Sequence, residues 1–463
     1  MVTVHGSDAG EVVSGENREL RDELNSKLSR FKDYKVILAK AVSPDATTQE
    51  LLDMAKGMNA DFILHATTDS EKKRINAKVM NAADGRTFWS KTVRENDVEG
   101  EGDFIDEATG MIAAHIAGYD GAIHRDILAK ALVKKEDDLT PMELLQLGKA
   151  AWEEQTENVT VKGTGYLEKC IEWSPDISTA HAMLGEVYLE DIRRDYNRVP
   201  DAMSKAKASI SRAIELSPSN AIALIEQIWI SWYEKDFTAC KLQAEAALKA
   251  NPYEPLVLVS VGSFYLSTGI DLELGKKYND LALRYNETPQ GWYYVGYVNY
   301  YLTYNEYDKA LESALKSWVN NSSQHATAAA LYWLNGEKEI AQKHYKQLIV
   351  MEPDFTLEKL KKRQEVWSRA KVSKDLIQKA FKEVVDAFRN EAGTTVPSGN
   401  NESATIRTFK STTDLCLVTV FEFESTKGVS EGNRELRDEL NSKLSRFKDY
   451  KVILAKAVSP DAT

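Results

Sequence analysis

Prolines at 175, 218, 252, 289 and 353 divide the middle of the chain at intervals of 43, 34, 37 and 64 residues. The last gap is close to two of the shorter ones. A spacing near 34 residues, with helical apolar patterning between the stops, constrains the fold strongly. Each interval holds two short helices whose apolar faces cannot be buried within one pair, so successive pairs must stack on one another. Six such pairs are read at 141–175, 178–218, 221–252, 255–288, 289–322 and 323–353. Small residues fall where the two helices of a pair must approach closely: Gly148, Gly185, Gly262, Gly296 and Ala329. The second pair carries an insert, DIRRDYNRVP (191–200).

These features resemble the tetratricopeptide repeat. In 323–353 the small Ala329, the aromatic Tyr332, the turn Gly336, Ala341 and the closing Pro353 match its pattern, and in 289–322 Trp292, Val295, Gly296 and Ala310 do the same. The resemblance implies an all-α superhelix over 141–353 that binds a protein or peptide in its concave groove through the first helix of each pair. Groove positions carried across by the resemblance are Trp229, Trp232 and Tyr233 in the third pair, and Gln290, Tyr293, Tyr297, Tyr300 and Tyr301 in the fifth. The run WYYVGYVNYYLTYNEY (292–307) is rich in tyrosine, which offers amphipathic contact area at low entropic cost. The competing reading of the same aromatics is packing between helices. Residues 354–390 read as capping helices for the open end, and 391–411 as a linker.

The amino-terminal part reads as β-α-β-α-β-β-β-α through about residue 125, followed by a connector at 126–140. KVILAKAV (35–42), DFILHATT (61–68), RINAKVMN (74–81) and RTFWSKTV (86–93) have strand patterning, and Asp84-Gly85 supplies a tight turn. TTQELLDMAKGM (47–58) and a segment from about Asp103 read as helices. KVILAKAV, ELLDMAKGMNADFILHATT and RINAKVMNAADGRTFWSKTVREN together resemble the TolB-like amino-terminal domain, which precedes tetratricopeptide arrays in bacterial signalling proteins. The fold expected for the whole chain is therefore α+β: an amino-terminal α/β sandwich (1–125) and an all-α superhelix. Relatives with this layout carry a class III nucleotide cyclase or a winged helix-turn-helix domain ahead of it, and neither is visible. The resemblance implies an interaction or scaffold protein of bacterial signalling or assembly. The alternative is the regulatory part of a cyclase or transcription regulator without its output domain.

The strand-one position of the family is matched better by LCLVTVFEFES (415–425) than by MVTVHGSDAG. That second match belongs to an internal duplication. NRELRDELNSKLSRFKDYKVILAKAVSPDAT occurs at 17–47 and again at 433–463, a constant offset of 416. Identity over 31 residues is too complete for an old structural repeat, which keeps its pattern and loses its letters. A recent duplication of coding sequence and a faulty joining of sequence ends both account for it. Residues 412–463 thus form a partial second copy of the domain's start. It can displace the first copy within one chain, or insert into a neighbour and give a homo-oligomer.

Chemistry-bearing motifs are few. The seven histidines make no HExxH spacing, and GxSxG, GxGxxG and the P-loop pattern are missing, so neither catalysis nor a cofactor or metal is expected. The three cysteines are far apart, which disfavours a disulfide scaffold or zinc ribbon. Lys+Arg number 59 against 71 Asp+Glu, a net charge of −12, so direct nucleic-acid binding is not expected. No apolar run is long enough to cross a bilayer. A cytoplasmic location is expected, with the periplasm left open by a removed leader.

Overall fold

The structure, a computed structural model, describes residues 2–6, 15–39, 46–69, 72–98, 103–153, 157–193, 198–317 and 321–392. Met1–Ala392 form one compact unit. Gly393–Thr463 are grouped separately and lie outside the described residues, and with them the linker at 393–411 and the second copy at 412–463.

The amino-terminal part contains β1 (Val2–Gly6), α1 (Gly15–Leu28), α2 (Thr48–Gly57), β2 (Phe62–Asp69), β3 (Arg74–Asn81), β4 (Thr87–Arg94), α3 (Phe104–Ala117) and α4 (Ala122–Ala131). The four strands form one small sheet in the order β1-β2-β3-β4. β1 runs parallel to β2, with Val4 opposite Ala66, and β2, β3 and β4 form an antiparallel meander. Alternation sets the faces. Leu64, Ala66, Ile75, Ala77 and Val79 join a core with α1 and α3, while Ile63 and Met80 pack with Leu51 and Ala55 of α2. The β3–β4 turn relies on Gly85, at φ +72°, where a side chain would be strained. Thr47 and Glu50 cap α2 reciprocally.

The strand expected at 35–42 is corrected. Of its described residues, 35–39, only Leu38 makes an isolated bridge, and 40–42 lie outside the described residues. The physical reason is that β2 already has β1 on one side and β3 on the other, so the run has no edge of β2 to join.

The rest of the unit is helical. Six antiparallel pairs follow: α5 (Pro141–Glu153) with α6 (Glu157–Trp173), α7 (Ser178–Arg193) with α8 (Ala202–Leu216), and α9 (Ala221–Tyr233) with α10 (Phe237–Ala250). Next come α11 (Pro255–Thr268) with α12 (Leu272–Tyr285), α13 (Val295–Thr303) with α14 (Tyr307–Lys316), and α15 (Ser322–Leu334) with α16 (Lys338–Met351). The close approach within pairs is possible because of glycine. A Cβ at Gly185 would lie 2.5 Å from Ile210, and one at Gly262 would lie 2.1 Å from the Asn279 Oδ1. Asn220, Asp236 and Asp271 start α9, α10 and α12 by accepting from backbone N–H groups, and Pro255 opens α11. The described chain is thus mostly helical, with successive antiparallel pairs stacked on one another. It ends in α17 (Leu357–Trp367) and α18 (Lys371–Ala392).

The sheet module and the stack share one core. The contact runs along the starts of several first helices. Tyr119 N–H donates to Glu254 Oε1 (3.1 Å), Asn286 Nδ2 to Asp120 Oδ2 (3.0 Å), and Trp89 Nε1 to Glu287 Oε2 (2.9 Å). No helix among the described residues is long and apolar enough to cross a membrane.

Candidate interaction face

The first helices of the pairs stand side by side: α5 touches α7, α7 touches α9, α9 touches α11, and α11 touches α13. Their shared face is crossed by the chain's own end. α17 packs on α15, and α18 packs on α13, α15 and α16. The end of α17 reaches further, to α9, and the stretch joining it to α18 reaches α11. Trp232 Nε1 donates to the Val366 carbonyl at 2.9 Å, and the Ser267 carbonyl accepts from Arg369 N–H (2.6 Å) and Ala370 N–H (2.8 Å). Ser373 Oγ donates to Asn299 Oδ1, and Trp333 Nε1 to Glu383 Oε2, both at 2.8 Å. α18 turns Ile377, Ala380, Phe381 and Val384 inward, where Phe381 meets Phe355 and Tyr345 edge-on. This arrangement was missed by the sequence reading. Its only signal was the i, i+3, i+4, i+7 apolar spacing of those four residues, which predicts an amphipathic helix without saying what it covers.

The residues singled out from sequence fall into two sets. Trp232, 3% exposed, is held by the returning chain: besides its bond to Val366, the Arg369 guanidinium lies 5.6 Å from its ring. Trp229 is half-buried, edge-on to Trp232 at 6.2 Å, with the Arg193 guanidinium 5.8 Å from its ring. Tyr233 packs with Leu189, Ala206 and Ile210, and burial pushes its phenol up to about 12.

The second set belongs to the fifth pair and is directed at neighbouring second helices. Tyr297 OH donates to Asp280 Oδ1 (2.6 Å) of α12, and Tyr300 OH to Glu273 Oε1 (3.0 Å) of the same helix. Burial, then the hydrogen bond to Glu273, pushes the Tyr300 phenol up to about 12. Tyr301 stacks on Tyr297 at 6.1 Å and carries Lys309 of α14 at 5.6 Å from its ring. Tyr293 accepts at its OH from Asn286 Nδ2 (3.0 Å). Gln290 is half-buried, and its carbonyl accepts from Tyr293 N–H. Tyr293 and Tyr297 are 1% and 4% exposed, so they offer no surface to a ligand in this state, whereas Gln290, Tyr300 and Tyr301 keep partial exposure.

A buried ionic group lies between α7 and α9. Arg193 pairs with Glu186 and, through Nε at 3.1 Å, with Glu190, while Glu226 of α9 stands beside Glu186. Burial, then the charge of Glu186, raises the Glu226 carboxyl well above its ordinary range, which favours its neutral form. Arg193 thus balances two carboxylates inside the stack instead of presenting charge to solvent. No group of three or more His, Cys, Asp or Glu among the described residues could hold a metal ion.

No known protein family matches the sequence, and no curated protein does. Among solved structures, the chain is similar to one from the crystal structure of the APC/C hetero-tetramer Cut9-Hcn1, with a TM-score of 0.41 and 13% sequence identity. The similarity covers 60% of this chain and 49% of that one, so the match spans about half the length of the solved chain.

Proposed function

We propose that the protein is an interaction scaffold whose first-helix face binds a protein or peptide partner. The observation that supports it is how that face holds residues 366–370. It grips the last turn of α17 and the non-helical residues after it through main-chain groups, by the Trp232 indole at the Val366 carbonyl and by the Ser267 carbonyl at the N–H groups of Arg369 and Ala370. Main-chain capture of this kind tolerates many side chains, as peptide recognition requires. The surface proposed for the partner comprises the partly exposed Trp229, Tyr233, Gln290, Tyr300 and Tyr301. Bacterial signalling or assembly, with a TolB-like amino-terminal module, is the setting we propose from the sequence resemblance.

The test is a crosslinked pull-down with the full chain beside a Trp229→Ala, Tyr233→Ala, Tyr301→Ala variant that keeps its helical circular dichroism. A partner captured by the parent and lost from the variant supports the reading, and an unchanged set of partners refutes it. A second reading, as the regulatory part of a nucleotide cyclase or transcription regulator, is favoured by the core that the sheet module shares with the stack, because such packing can pass a change in one to the other. Cyclase activity or promoter occupancy that depends on co-expression of this chain would test it.

A further inference from the structure

We propose that Glu273, Tyr300 and Tyr304 form a seat for an arginine side chain of the bound partner. This inference rests on the partner-binding reading above and names the chemistry that one part of that surface selects. Glu273 is an exposed residue in the first turn of α12, while Tyr300 lies in the last turn of α13 and Tyr304 just after it. Both phenols donate to the same carboxylate oxygen, Glu273 Oε1, at 3.0 and 2.9 Å. The two rings have centroids 4.8 Å apart and are inclined at 52°, and Tyr304 is 48% exposed. Glu273 Oε2 takes no hydrogen bond among the described residues and is open to a further donor.

The lysines nearby show what these ring faces attract. Lys276 lies 5.9 Å from the Tyr300 ring, Lys309 5.6 Å from Tyr301, and Lys316 5.2 Å from Tyr294. Each is already paired with an acid of its own, Asp280, Glu306 or Glu312. Glu273 forms no ion pair among the described residues, so a carboxylate beside two aromatic faces is left without a cation. A guanidinium answers both demands at once. Its plane lies on a ring, where the quadrupole attracts positive charge, while its N–H fork donates to a carboxylate at the edge. An ammonium is a more strongly hydrated point charge and gains less from the ring. Because Glu273 already fixes both phenols, the rings are ordered before a ligand arrives, which lowers the entropic cost of binding. The net charge of −12 favours a basic partner at longer range.

The experiment titrates a blocked Gly-Ser-Arg-Ser-Gly peptide, and its lysine counterpart, against the full-length protein by saturation-transfer NMR, which reports weak affinities. The proteins compared are the parent, Glu273→Gln, Tyr304→Leu and Glu215→Gln. The last makes the same change of net charge at an exposed acid on α8, away from the seat. The parent should take the arginine peptide at least about threefold more tightly than the lysine peptide, and Glu273→Gln and Tyr304→Leu should each weaken it about fivefold or more. Glu215→Gln should leave it unchanged. A loss in Glu215→Gln as large as in Glu273→Gln overturns the proposal, since the peptide would then follow general charge. Equal affinity for the two peptides, no effect of Tyr304→Leu, or no binding to the parent also overturns it. The pull-down described above is read separately. A partner lost there without arginine preference here refutes the seat alone, and arginine preference here with no partner lost there refutes the partner-binding reading alone.

Discussion

Glu254 permits a prediction whose sign runs opposite to the usual behaviour of a carboxylate. It stands immediately before α11, is 5% exposed, and its Oε1 accepts from Tyr119 N–H at 3.1 Å and Leu256 N–H at 3.2 Å. Burial outweighs those two bonds and raises its pKa from 4.5 to about 7, with Asp120 adding to the rise and Lys149 opposing it. Between pH 4.5 and 7 the folded chain therefore holds a proton that the unfolded chain has released. Stability from this group is present below pH 4.5 and is lost as the pH rises through 7. Each pH unit across that window is worth about 1.4 kcal/mol, so the whole loss is about 3 kcal/mol. Glu254→Gln keeps a neutral oxygen for both N–H donors and removes the titration. Paired urea unfolding of parent and variant should show nearly equal stability at pH 5, and a variant more stable by about 3 kcal/mol at pH 8. Asp33, Asp120, His124 and Lys149 also face this seam, and both proteins carry all four. A difference that is the same at both pH values, or a variant that is weaker at pH 8, refutes the reasoning.

Four further outcomes are expected. Trp232→Phe removes the indole donor to Val366, at a cost of about 1 kcal/mol, and should speed amide exchange at Arg369 and Ala370; unchanged exchange there would mean that this bond does not hold the segment. Gly262→Ala places a Cβ 2.1 Å from Asn279 Oδ1 and 2.8 Å from the Gly275 carbonyl, so it should cost about 1–3 kcal/mol; Gly57→Ala, with open space around the new carbon, should gain about 0.5–1 kcal/mol, and a thermal melt that shifts against its expected direction refutes the reasoning at that glycine. Phe381→Ala empties a site 1% exposed between Phe355 and Tyr345, and should cost about 3–5 kcal/mol by urea unfolding; a neutral result would mean that α18 is not part of the core.

What could be read in the sequence depended on whether a feature was local. Gly185 and Gly262 were legible because a close helix crossing demands a missing side chain at one position, and each faces a specific neighbour that would collide with a Cβ. The run at 35–42 has the composition of a strand, but joining a sheet requires a free edge, and the pairing of β1 with β2 removed the edge it would have used.

The tyrosines of the fifth pair show where local reading stops. In 292–307 aromatics occupy almost every direction around the helix, so periodicity cannot say which face is buried. The decision lies one helix earlier, on α12, where Glu273 and Asp280 are seven residues apart and accept from the phenols of Tyr300 and Tyr297. A buried phenol needs an acceptor, and paired acids at i and i+7 on the preceding helix provide a row of them. Tyrosine enrichment in a helical repeat is therefore ambiguous until the helix before it is inspected: here Asp280 holds Tyr297 inside the stack, while Glu273 engages Tyr300 at its partly exposed edge. The first-helix face is instead marked by Trp232, which no second-helix acid satisfies and whose indole is answered by the returning chain.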